Sequence, residues 1–487
     1  MTRRRWVAPS PADAERLPPD VVFAAGERNH HISNTAYPIA HGTTWAPYRL
    51  TRAAHRAVVE EALRAIDDLC LYLHIPFCET RCAYCEYTVV NREESSQTDS
   101  YMDRLERELD LYADLLGTRR RLHGLDVGGG TPTFVAAERI ARLLERVHAR
   151  FDRAPGYGVS IETTPKIAAA EPDKLAALRR AGIDRISLGV QVVQPDLLRV
   201  LNRAENGAAL HRRAVDHIRA AGFTRLNVDL MYGFADQSLE SWRATVEHAL
   251  ALAPEYVTLY RMRYKLTRIS HQASRVVLDE VRAQAALAKE LLRAAGFTAA
   301  VGKNTWSRLP DDHGTSAYLT RRVIDGMPYL GLGLGAQSFS HTTIAYNDGA
   351  VGKNLGPYLR SVDAGRLPIQ DLYDLPLTQM AAKFVAVSFY FGGIDAAAFA
   401  AKFGLPLAEA FPAELAFVER EGLMRWEPDG RLQLTERGAA HSHGVIALFF
   451  APSVQRHLVS LEEPAGDELV DARQRPRGPR LARAGLA

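Results

Sequence analysis

Cys70, Cys78, Cys82 and Cys85 are the only cysteines in a chain of 487 residues, and all lie within CLYLHIPFCETRCAYCEY. The last three form CxxxCxxC, with gaps short enough for one loop to wrap three thiolates around a single small object. Disulfide pairing of that trio leaves an odd cysteine. Structural zinc takes four tight ligands, usually from two separated pairs. Cys70 could be the fourth only if LYLHIPF folded back on itself. That stretch instead alternates like a strand, with Leu71, Leu73 and Ile75 on one face, which carries Cys70 roughly 25 Å from Cys78. Thiolates also suit iron–sulfur clusters. Three thiolates on a four-iron cluster leave one iron open to an added ligand. The spacing favours a cluster over zinc and leaves both open. Cys70 reads as a buried core thiol at a strand start.

These residues need a scaffold, and the chain spells one out. Short apolar runs recur as CLYLHIP, LDVGGG, VSIETT, RISLGVQ, LNVDLMYG and YVTLYRM. Between them lie amphipathic stretches. Met102, Leu105, Leu109, Tyr112 and Leu116 share one helical face, as do Ile140, Leu143, Leu144 and Val147. Alternating strands and helices imply a parallel sheet. The reading is an α/β fold: a partial (β/α)6 barrel over 69–300, preceded by an N-terminal arm over 1–68. A barrel-closing connection covers 301–377. A mainly helical, winged-helix-like cap follows over 378–460, with a disordered, Pro-, Gly- and Arg-rich tail over 461–487. Sites in such barrels lie at the C-terminal strand ends. The cysteine loop follows the first strand, so it sits where chemistry is expected.

Other strand ends carry polar residues that packing does not need. GGGTPT follows the second strand, and adjacent glycines permit close backbone approach and leave amides free. The third strand ends in Glu162, the fourth in Gln191 and the fifth in Asp229. Together they read as a ligand-binding ring.

YLHIPFCETRCAYC closely resembles the cluster loop of radical S-adenosylmethionine (SAM) enzymes. It is most similar to the oxygen-independent coproporphyrinogen III oxidase branch, with its Y-x-H-I-P-F-C-x-x-x-C-x-Y/F-C. The resemblance spans roughly residues 33 to 339. It implies a 4Fe-4S cluster on Cys78, Cys82 and Cys85 whose open iron is chelated by SAM. An electron, from a donor such as flavodoxin or ferredoxin, then cleaves SAM to methionine and a 5′-deoxyadenosyl radical. By the same resemblance Gly129, Gly130 and Thr131 lie against the SAM methionine amine, and Glu162, Gln191 and Asp229 contact that SAM. Arg203 falls near the methionine carboxylate, and Tyr72 packs near the cluster. Tyr84 and Met231 match places lining a second SAM site, and Arg263 is grouped with them as a substrate-pocket candidate. One or two SAM molecules are implied.

The finer reaction is read from departures. The oxidase branch has a further cysteine where this chain has Tyr87, and an arginine in its N-terminal arm where this chain has Ser33. A porphyrinogen with four propionates wants cationic partners, so that loss counts against the oxidase. The arm itself, with 77 residues before Cys78, counts against a heme chaperone. The favoured reading is class C-type methyl or methylene transfer, by methylation or cyclopropanation of a secondary metabolite. The oxidase, an anaerobic heme-opening methyltransferase and the heme chaperone are the alternatives, and a partner methyltransferase is among the implied partners. Substrate contacts are sought among Arg261, Arg263, Tyr264, Lys265, Arg268 and His271; His30 and His31 read as surface residues. Hydrophobic content of 47% and charged content of 24% fit a globular protein with a sizeable core. A net charge of +3 is too mild to argue for nucleic acid or an anionic membrane. No window of roughly 18 apolar residues suggests a spanning helix, and a cytoplasmic protein is expected. In the cap, Glu409, Glu414, Glu419 and Glu421 weigh against DNA binding.

Overall fold

The computed structural model describes residues 6–30, 32–90, 96–264 and 267–461. His31, Lys265 and the tail from 462 onward lie outside the described residues. The strands of the main sheet are, in chain order, β1 (Asp68–Ile75), β2 (Arg121–Gly129), the two-residue β3 (Asp152–Arg153), β4 (Val159–Thr163), β5 (Arg185–Gln191), β6 (Arg225–Tyr232) and β7 (Tyr256–Arg261). Strands β1, β2, β4, β5, β6 and β7 pair in that order and all run parallel, and β3 pairs with the start of β2. Parallel neighbours need crossover helices. The first of these is Thr98–Leu116, which buries Met102, Leu105, Leu109, Tyr112 and Leu116 in the same core as Leu71, Leu73 and Ile75. The alternate residues of the strands, including Tyr72, Asp126, Glu162, Ser187 and Asp229, belong to the concave face.

The sheet grows at both edges. β8 (Thr305–Ser307) runs antiparallel to β7. β9 (Tyr329–Leu332) runs parallel to β1, and β10 (Gln337–Phe339), β11 (Thr343–Asn347) and β12 (Ile369–Asp374) continue antiparallel. The helix Ala317–Ile324 presses against the strands so closely that a Cβ on Gly124 of β2 would lie 2.2 Å from the Tyr318 backbone nitrogen. That position therefore requires glycine.

A second unit holds β13 (Gly393–Asp395), β14 (Met424–Trp426) and β15 (Arg431–Leu434), ordered β13-β15-β14, with helices around them. The N-terminal segment shares its core: Val22, Tyr37 and Trp45 pack among Phe384, Phe411 and Phe450. Gln379 joins the two. Its Oε1 accepts from Tyr37 Oη at 2.5 Å and Trp45 Nε1 at 2.7 Å, and its Nε2 donates to Asp13 and Ser453. The described N-terminal arm and the C-terminal unit thus form a single packed body.

Candidate active site

The loop 76–90 leaves β1 and is closed by the Val90 amide donating to Pro76 O at 3.1 Å. Lys353 pins its far end, with Nζ donating to Glu86 O at 2.7 Å and Tyr87 O at 2.8 Å. His74 anchors the near end. Burial pushes its imidazole down to about 4, so the ring is neutral. Nε2 donates to Thr88 O at 2.9 Å, leaving Nδ1 to accept from Tyr72 Oη at 3.2 Å. The thiols of Cys78, Cys82 and Cys85 are half-buried along a cavity of about 310 Å³ at the C-terminal strand ends. Burial, Cys82 and Cys85 push the Cys78 thiol up to about 12 despite the Thr131 hydroxyl 3.6 Å from its sulfur. Burial raises Cys85 too. A cationic centre among the three sulfurs would relieve the rise at Cys78 and Cys85. Among the described residues no group of three His, Cys, Asp or Glu side chains is arranged to hold a single metal ion. Cys70 is fully buried, its sulfur 3.7 Å from Met327 Sδ, and burial raises its thiol.

The same cavity has a complementary polar wall. Glu162, at the end of β4, is pushed up to about 8 by burial in the mouth, then by Asp229 and Asp126. Asp229 and Asp126 are each pushed by burial to about 6. Arg185, from the first residue of β5, favours ionisation of all three and is itself held by Ser160 Oγ at 3.2 Å, Ser187 Oγ at 3.0 Å and Gly314 O at 3.2 Å. A ligand carrying cations would relieve the crowded carboxyls. Three other polar atoms on the wall are buried without a partner: Gln191 Oε1, Arg203 Nε and Asn206 Oδ1. Orphans of this kind call for an explanation; they are two acceptors and one cationic donor. The ammonium, sulfonium and carboxylate of SAM fit that set.

All eight ring residues read from the sequence meet in this one cavity: Tyr72, Gly129, Gly130, Thr131, Glu162, Gln191, Arg203 and Asp229 line it. One expectation is corrected. The glycine turn does not leave its amides free. Gly130 N donates to Ile75 O at 2.8 Å and Thr131 N to Phe77 O at 2.7 Å, while the Gly129 amide serves Glu162. The continuations of two parallel neighbours, β1 and β2, go on pairing past the strand ends. A Cβ on Gly130 would lie 2.6 Å from Phe77 O, so close approach to the cysteine loop is what this glycine permits.

Arg203 is also more than a ligand contact. Its Nη2 donates to Gly189 O at 2.6 Å and its Nη1 to Tyr84 Oη at 3.0 Å, with Cys82 Sγ 3.6 Å away. It clamps the cysteine loop to β5. Tyr84, Met231 and Arg263 line the same cavity as the ring rather than a separate one. Tyr84 is engaged by Arg203, Met231 packs in a small apolar cluster, and Arg263 is paired with Glu86. Four wall or anchor residues went unread: His74, Asp126, Arg185 and Asn206. His74 stood in the quoted HIPF stretch, and Arg185 was legible as a cation opening an apolar strand. Tyr87 and Tyr260 present rings that are 60% and 42% exposed along the cavity.

Residues 72–249 match the radical SAM superfamily and residues 390–441 the HemN C-terminal domain. The chain is similar to an oxygen-independent coproporphyrinogen III oxidase of Bradyrhizobium diazoefficiens, 31% identical over 63% of this chain and 69% of that protein. It is similar to heme chaperone HemW of Mycobacterium tuberculosis, 30% identical over 77% of this chain and 93% of that protein. Its shape resembles that of coproporphyrinogen III oxidase (HemN) from Escherichia coli, with a TM-score of 0.70 and 24% identity over 85% of this chain and 96% of that one. Among the described residues no helix is long and apolar enough to cross a membrane.

Proposed function

Because the chain belongs to the radical SAM superfamily, in the branch of oxygen-independent coproporphyrinogen III oxidases and heme chaperones, we propose that it is an adenosyl-radical enzyme acting on a small molecule at the barrel mouth. The family uses a 4Fe-4S cluster and SAM. When bound, this pair supplies a 5′-deoxyadenosyl radical. In this reading Cys78, Cys82 and Cys85 hold the cluster. Arg203 Nε meets the SAM carboxylate, Gln191 and Asn206 accept from its N–H and O–H groups, and Glu162 and Asp229 face its cations. Tyr72 and His74 hold the loop in register, and Tyr87 and Tyr260 offer aromatic faces along the cavity. The observation carrying the reading is the convergence of three thiols with three orphaned polar atoms and crowded carboxyls in one cavity.

The reaction type we favour is oxidase-like hydrogen-atom abstraction from a substrate carbon. A volume of about 310 Å³ is at the small end for one ligand, which argues for one SAM there. Class C-type methyl or methylene transfer is the second reading, favoured by two departures from the oxidase pattern. Tyr87 stands where the further cysteine is expected. Ser33 is fully buried, its hydroxyl donating to His443 O at 2.7 Å, and puts no cation on the arm. Mass spectrometry of anaerobic reactions separates the readings. 5′-Deoxyadenosine with carbon dioxide from coproporphyrinogen III supports the oxidase. 5′-Deoxyadenosine with S-adenosylhomocysteine, using an electron-rich alkene or aromatic acceptor, supports transfer. Tight heme binding without turnover supports a chaperone and overturns the enzyme reading.

A further inference from the structure

Arg322 sits one turn beyond Tyr318 on the helix Ala317–Ile324, where the barrel meets the C-terminal unit. Its guanidinium lies 4.6 Å from the centroid of the Tyr329 ring, and Nη1 donates to Tyr318 Oη at 3.3 Å. Among the described residues no carboxylate comes within 4.0 Å of it, whereas its neighbour Arg321 pairs with Asp325 at 3.0 Å. Nearby Lys383 is 6% exposed and likewise has no carboxylate within that distance; its Nζ donates to Tyr37 O at 2.9 Å. Burial and then Arg322 push the Lys383 ammonium down to about 7, as expected for cations crowded without a counter-ion. Asp126 also feels Arg322, but it is bonded to Ser316 at 2.7 Å. A guanidinium half-buried among tyrosines, with no carboxylate to answer it, favours an anionic partner.

A line of aromatic rings joins Arg322 to the barrel mouth. Tyr318 lies 5.9 Å from Tyr72, which lines the mouth. Tyr390, 43% exposed on the C-terminal unit, lies near enough to Arg322, and to Tyr87 and Tyr260 of the mouth, to influence their ionisation. We propose that Arg322 anchors a carboxylate of the substrate, with the substrate body lying along Tyr87, Tyr260 and Tyr390 toward the SAM ring. This rests on the reading of the mouth as a small-molecule site. With one face on Tyr329, the planar fork keeps edge N–H groups for a two-point carboxylate contact, and a lysine cannot reproduce that geometry.

The test is a binding titration with cluster-loaded protein and SAM but no reductant, so turnover is not needed. The probes are coproporphyrin III and 1-pyrenebutyrate, each beside its methyl ester. The first acid tests a tetrapyrrole source for the carboxylate, the second a non-tetrapyrrole one. We expect at least one acid to bind roughly 10- to 100-fold more tightly than its ester. Arg322→Ala should erase that difference by weakening the acid alone, and Arg322→Lys should restore part of it. Iron content and melting temperature of both variants check folding. Acid and ester binding alike, an acid affinity unmoved by Arg322→Ala, or no binding of either acid would each overturn the proposal. Wild-type protein that makes no 5′-deoxyadenosine under reduction sinks the enzyme reading instead, and leaves the acid–ester difference as it was measured.

Discussion

Replacing Gly130 with alanine adds one methyl where two loops already touch. The new Cβ would stand 2.6 Å from Phe77 O and 2.8 Å from both the carbonyl carbon and oxygen of Pro76. All three are backbone atoms, so no side chain can swing aside. Relief requires the glycine turn and the cysteine loop to separate by several tenths of an ångström. The hydrogen bonds from Gly130 to Ile75 O at 2.8 Å and from Thr131 to Phe77 O at 2.7 Å resist that separation. Overpacking of this kind costs about 1–3 kcal/mol, and weakening the two bonds adds about 1 kcal/mol each. The strain falls on the residues just before Cys78 and on Thr131, which touches the Cys78 sulfur. We expect Gly130→Ala to lower cluster occupancy after anaerobic reconstitution and to weaken SAM binding roughly 10-fold or more. Iron and sulfide analysis and calorimetry read both. Gly207→Ala is the control, because nothing lies within 4 Å of its added Cβ. A Gly130→Ala protein with wild-type iron, SAM affinity and melting temperature would refute the close-approach argument.

Two further predictions concern carboxyls whose ionisation the fold opposes. Because Glu162 is pushed up to about 8, it is largely protonated at neutral pH, and a cationic ligand binds better once it ionises. SAM affinity should therefore rise with pH through about 8 and then flatten, with proton release on binding; Glu162→Gln should lose that slope, and an unchanged slope in the variant would count against the assignment. Glu108 is fully buried and accepts from Tyr358 Oη at 2.7 Å, Gly333 N at 2.8 Å and Asn347 Nδ2 at 2.7 Å. Glu108→Ala orphans three donors at about 1–3 kcal/mol each, so a melting temperature lowered by several degrees is expected; an unchanged one contradicts the network's role.

The cysteine loop was legible because its residues are adjacent in sequence and chemically unusual, and the strands because their apolar runs are short and regularly spaced. The concave face was harder. Tyr72, Asp126 and Arg185 alternate with apolar residues that pack outward, and a short apolar run conceals the polar residues on its other face. The fate of the Gly130 and Thr131 amides depends on the register between β1 and β2, which no single segment specifies. The union of arm and cap rests on contacts such as Tyr37 to Gln379, more than 300 positions apart, far outside any local period. Arg203 was expected to touch the ligand; its clamp on Gly189 and Tyr84 needed the fold to be seen.

The central claim is that one loop of three cysteines and one polar ring together cleave SAM reductively. The direct measurement is 5′-deoxyadenosine, quantified by mass spectrometry after anaerobic reconstitution, reduction and addition of SAM. Wild-type protein should hold about four iron and four sulfide per chain and produce the nucleoside. Cys82→Ala should lose both properties, and Cys70→Ala, altered only in a buried core thiol, should keep them. Stoichiometric zinc with no iron uptake, or an iron-loaded protein that yields no 5′-deoxyadenosine, would contradict the account.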